Sequence, residues 1–107
     1  MDVTTERRTQ NEAMSRVANE AIEEAEAAGD GSSISFLCEC TRPDCDRTIE
    51  LTPYEYRRVR SNPRRFVVLH GHESRDIESV VEAADEYLVV EKHGSAGDLA
   101  EADDPRS

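Results

Sequence analysis

Three cysteines fall within eight residues, as Cys38-x-Cys40-x4-Cys45, and no other feature of this 107-residue sequence restricts its fold as much. Pro43 and Asp44 favour a sharp reversal there, so that three sulfurs can converge on one point. Three thiols cannot all pair within one chain, and in a reducing compartment clustered cysteines are more often metal ligands or reactive groups than a disulfide frame. Zinc suits the donor set, because it takes four tetrahedral ligands from Cys and His and its binding supplies folding free energy. The chain needs such help. With 36% hydrophobic residues, no Trp and a mean hydropathy of -0.73, it has little apolar surface to bury.

The fourth ligand must come from elsewhere, and His72 is the best candidate. Gly71 lets the chain turn off the strand before it, and Glu73 can orient the ring from behind. His70, last in that strand, shares a face with Phe66 and Val68 and reads as a half-buried packing residue, while His93 falls in a presumed tail. The expected site is therefore one Zn2+ on Cys38, Cys40, Cys45 and His72, supported by Glu73. Two other readings stand beside it. Cys38 and Cys40 can be small core residues pointing to opposite faces of a strand, with Cys45 a bystander. Alternatively, two of the three form a disulfide under oxidation, with Arg42 and Arg47 favouring thiolates.

Around this site the pattern predicts an α+β fold: a small antiparallel sheet with a zinc-ribbon-like hairpin, two short helices and an N-terminal amphipathic helix. From Thr5 to Ala28, Met14, Val17, Ala18, Ala21, Ile22 and Ala25 recur at helical spacing, with Glu12, Glu20, Glu23, Glu24 and Glu26 mostly facing away. This narrow stripe can pack on the domain or pair with a copy of itself. Strands are expected at 34–38 and 47–51 with the cysteines between them, and at 65–69 and 86–92. Thr52, Pro53 and Glu55 form a capping box that starts a helix, and Ile77, Val80 and Val81 suggest a second short helix over 76–84. Residues 1–31 thus read as helix and linker, 32–93 as the metal-binding domain, and 94–107 as an acidic disordered tail.

Charge narrows the function. Acidic residues number 24 against 13 basic ones, a net charge of -11, which opposes nucleic acid and anionic membrane over most of the surface. No apolar run approaches a membrane span, and the N-terminus lacks the character of a signal peptide, so the cytoplasm is the expected compartment. The one basic stretch, Arg57, Arg58, Arg60, Arg64 and Arg65 with Tyr54 and Tyr56 interleaved, is a candidate phosphate- or partner-binding patch. No nucleophile–base pair or carboxylate pair marks a catalyst, and a four-ligand site is closed. The leading expectation is a non-catalytic regulatory or adaptor protein with a structural zinc site. It would bind a protein partner, as a monomer or as a homodimer through the N-terminal helix. The alternatives are a nucleic-acid-associated zinc module using the arginine patch, and a thiol–zinc redox sensor.

The segments Asn11-Glu12-Ala13, Val17-x-Asn19-Glu20-x-Ile22, Phe36-x-Cys38-Glu39-Cys40, Ile49-x-Leu51-Thr52, Gly71-His72-Glu73 and Tyr87-x-Val89-Val90-Glu91-Lys92 together resemble a family of small actinobacterial proteins. The likeness spans nearly the whole chain. It implies that the three cysteines and a Gly-His-Glu after the third strand belong to one site, and it favours His72 over His70, where the family tends to proline. It implies a lineage and a metal site, and no activity.

Overall fold

A computed structural model describes residues 3–26, 29–42 and 44–105, with side chains from residue 11 onward. Pro43 and Ala28, to which the sequence assigns the reversal and the helix end, lie outside the described residues. The cysteine hairpin forms as expected. β1 (Ile34–Leu37) and β2 (Thr48–Leu51) pair antiparallel with Phe36 opposite Ile49, both buried. Thr52 then caps α2 (Pro53–Val59): its hydroxyl accepts from Glu55 N at 3.0 Å, and the Glu55 carboxylate accepts from Thr52 N at 2.9 Å. This fixes the direction of α2 and stacks Tyr56 on Phe36 with ring centroids 4.6 Å apart.

A second antiparallel sheet has the order β3–β5–β4, from β3 (Arg65–Val68), β4 (Glu78–Ala83) and β5 (Leu88–Lys92). β5 is central, which is why Leu88, Val89 and Val90 form an unbroken buried run. β4 corrects the sequence reading of a short helix over 76–84. Its three- and four-residue apolar spacing arises instead from a bulge between Val80 and Glu82, which shifts the strand's period and leaves Val81 exposed. The open edge of β5 decides the matter, since pairing overrides local preference.

Residues 94–107 are not the expected disordered tail throughout, for Gly94–Ala102 form helix α3. Apolar bulk does not hold it. Ala96, Gly97 and Ala100 let it lie close to the sheet, and a side chain at Gly97 would bring its Cβ within 2.9 Å of the Lys92 carbonyl oxygen. Arg64 grips it by ion pairs to Asp98 at 2.9 Å and Glu101 at 2.6 Å.

The largest departure from expectation is the orientation of α1 (Val3–Glu26), which packs against β1, α2 and α3 by its polar side. Glu12, Arg16, Asn19 and Glu23 are buried, whereas Met14 and Val17 are 71% and 53% exposed. Each buried polar group has a distant partner. Arg16 donates to the Pro63 and Ala100 carbonyls, both at 2.8 Å, and its guanidinium lies 4.7 Å from the centre of the Phe66 ring. Glu12 contacts Lys92, which also contacts Glu78, and Glu23 takes Arg57 at 2.6 Å. Polar groups are buried only when paired, and an alanine-rich stripe offers a few methyl groups in exchange, so the paired face wins the interior. None of the described helices is long and apolar enough to cross a membrane.

Candidate metal centre

The centre is built where the chain leaves β1. Cys38 N still donates to Arg47 O across the hairpin at 3.0 Å, but Glu39 N donates to Val67 O at 2.8 Å, so the backbone passes from the first sheet to the second within two residues. Side chains in extended backbone alternate, which turns Cys38 and Cys40 to one point and Glu39 the other way. The reading in which the two cysteines face apart is corrected on this ground. Glu39, fully buried, accepts from the Tyr56 hydroxyl at 2.5 Å, Asn19 Nδ2 at 2.9 Å and Val67 N at 3.0 Å. Burial raises its carboxyl above the usual range while those donors pull it down.

His72 arrives from the turn after β3. Gly71 adopts a φ of 85°, a left-handed conformation that glycine takes without strain, and His72 N closes the turn on Leu69 O at 2.9 Å. Two further contacts hold this turn against the cysteine loop: Arg42 donates to Gly71 O at 2.9 Å, and the Thr41 and Ser74 hydroxyls meet at 2.8 Å. The loops are thus joined by bonds that involve none of the four donors.

The donor atoms of Cys38, Cys40, Cys45 and His72 all lie within 4.8 Å of one another, close enough to hold one metal ion. His72 Nδ1 is 3.7 Å from the Cys38 sulfur and 3.6 Å from the Cys45 sulfur. Tetrahedral bonds of zinc length to sulfur and to imidazole nitrogen set those atoms about 3.6 Å apart, so these two separations suit a zinc ion. The electrostatics agree. A hydrogen bond from the Cys38 thiol pulls Cys40 well below the ordinary thiol range, and the same bond, with burial, pushes Cys38 up. Burial raises Cys45. One thiolate is therefore ready and its neighbours donate to it, until a cation replaces their protons.

The other expected residues are placed differently. Glu73 pairs with Arg75 at 3.2 Å, and its Oε1 is buried without a hydrogen-bond partner among the described residues, so the expected support of the His72 ring by Glu73 is not formed. His70 is exposed rather than half-buried and has its Nε2 2.8 Å from Ala84 O, and His93 is exposed.

The arginine stretch is not an open basic patch, since each member faces a carboxylate. Arg57 takes Glu23, Arg58 takes Glu82 at 3.4 Å, Arg64 takes Asp98 and Glu101, and Arg65 takes Glu91 at 3.0 Å. Arg60, with a fully buried side chain, is bound by Glu20 at 2.7 Å and by Asp104. Tyr56 faces the core. Sequence reasoning missed Glu39 and Asn19. Asn19 accepts from Leu37 N at 2.8 Å and donates to Leu37 O at 2.9 Å, fastening α1 to the strand that leads into the site. A carboxylate between two cysteines, beside an apolar strand, was the available signal. Comparison of the chain with protein-family models, curated proteins and solved structures gives no match.

Proposed function

We propose that this chain is a non-catalytic adaptor or regulatory module, folded around one structural zinc ion on Cys38, Cys40, Cys45 and His72, that acts in the cytoplasm by contacting another polypeptide. The observation that carries the reading is the spacing of the four donors. Four protein donors within 4.8 Å of one another could fill the shell of a tetrahedral zinc ion and leave it no position for water or substrate, as in a structural site. Thiolate softness and the absence of carboxylate donors favour zinc over calcium or magnesium. The outward face of α1, where Met14 and Val17 stand exposed above an open groove of about 460 Å³, supports the contact role. The nucleic-acid alternative is weakened, because the arginines it needs already face carboxylates and Arg60 is buried.

Elemental analysis of the purified protein should find one zinc per chain. Cys40→Ser and His72→Ala should each lower that content and the melting temperature together. Full zinc in both variants would overturn the assignment, because neither leaves four donors in place.

A further inference from the structure

We propose that zinc occupancy and the docking of α1 strengthen each other through residues 37–41, so that α1 reports on the metal site. The inference deepens the structural-zinc reading and rests on it. Residues 37–41 serve two neighbours in alternation. Cys38 and Cys40 give their sulfurs to the metal cluster, while Leu37, Glu39 and Thr41 are bonded by asparagines of α1. Asn19, fully buried, accepts from Leu37 N at 2.8 Å, donates to Leu37 O at 2.9 Å and donates to the buried Glu39 carboxylate at 2.9 Å. Asn11 reaches Thr41 O at 3.5 Å.

The lengths of the two partners match. From Asn11 to Asn19 a helix rises about 12 Å, and from Leu37 to Thr41 an extended chain spans about 13 Å, so α1 runs antiparallel to the segment and meets it at both ends. The extension that keeps this register also brings the sulfurs of Cys38 and Cys40 to one point. Residues 38–40 belong to no strand, so their conformation is set by what holds them from each neighbour. With the ion gone, the two thiols need not converge, and the Asn19 amide and Glu39 carboxylate lose the fixed partners that make their burial tolerable. With α1 undocked, the segment is free to leave the shape that presents two of the four donors. By linkage, zinc tightens α1 by the same factor as α1 tightens zinc. Loss of zinc therefore loosens the face of α1 on which Glu12, Arg16, Asn19 and Glu23 are buried.

Two measurements on the full chain test this. In competition with a chromophoric chelator, Asn19→Ala should weaken zinc binding about tenfold although it removes no ligand, a factor usual for coupled sites. Val80→Ala, a truncation in the edge strand β4, should lower the melting temperature yet leave the zinc dissociation constant within about twofold, because it is independent of the segment. Hydrogen exchange of the wild type, zinc-loaded against chelated, needs no variant. On zinc removal the amides of residues 11–23 should lose more protection than those of β5. Zinc affinity unchanged in Asn19→Ala, or lowered as much in Val80→Ala, overturns the proposal, as does α1 protection that falls no further than that of β5. Zinc still binds the wild type in those cases and the zinc reading stands, whereas a wild type that takes up no zinc removes both.

Discussion

The polar cluster at the hairpin tip and the one beneath α1 differ in where their counter-charge comes from. At the tip, Cys38, Cys40, Cys45 and His72 face one another with no protein cation among them, and an ion from solution could close the cluster. Beneath α1, Glu12, Lys92 and Glu78 meet in a site that is at most 2% exposed, and the chain supplies its own cation. On the proposed reading the first cluster would make folding depend on a metal, whereas the second makes it depend on the docking of a helix. Glu39 and Asn19 lie between them, tying α1 to the strand that enters the metal site.

If that contrast is right, withdrawing the ion is the largest perturbation available. A zinc chelator added to wild-type protein should cost at least about 3 kcal/mol, seen as a fall of roughly 12–20 °C in melting temperature. Hydrogen exchange should rise first around Cys38–Cys45 and the turn at His72. A melting temperature indifferent to the chelator, with the ion shown to be gone, would mean that Thr41, Ser74, Arg42 and the Glu39 network already hold the loops, and the two clusters would be alike.

The same contrast explains what could be read in advance. The four candidate metal ligands were legible because three lie within eight residues and the fourth follows a glycine at a strand end, patterns that local spacing reveals. The hairpin, the capping box before α2 and the strands β3 and β5 were legible for the same reason. The inner face of α1 was not, because what makes Glu12 and Arg16 interior residues is Lys92, Pro63 and Ala100, all more than 45 positions away. Helix α3 was hidden likewise, being held by arginine contacts rather than by the apolar content that pattern reading weighs. β4 was misread because its bulge gives a strand the spacing of a helix.

Lys92 is the next point at which to press. Lys92→Met leaves two buried carboxylates facing each other and should cost about 3–5 kcal/mol, whereas adding Glu12→Leu and Glu78→Leu to it should return most of that loss. Urea denaturation at fixed, saturating zinc reads both. A single variant costing under about 1 kcal/mol would show that the cluster is not closed by its lysine and that solvent reaches it.

Proton number gives the smallest and most discriminating effect, because the two clusters respond to pH with opposite sign. Two carboxylates around one ammonium leave an excess negative charge in a dry site, and burial pushes Glu12 from the usual 4.5 up to about 8, against the pull of Lys92. Glu12 Oε1 has no hydrogen-bond partner among the described residues, which suits a neutral carboxyl better than a charged one. Between those two values the folded chain holds a proton that the unfolded chain has released. Its stabilisation is complete below 4.5 and is lost as pH rises through about 8. The metal cluster runs the other way, since its ligands must lose protons to bind and so it strengthens with rising pH. Wild type and Glu12→Gln share the same metal site, so that second dependence cancels between them, and Glu12→Gln, uncharged at every pH, removes the first. Across about pH 6 to 8 the wild type should therefore lose stability relative to Glu12→Gln, at no more than roughly 1.4 kcal/mol per pH unit. Parallel stability curves for the two proteins would show that Glu12 is already ionised throughout that range, and that its ion pair with Lys92 outweighs its burial.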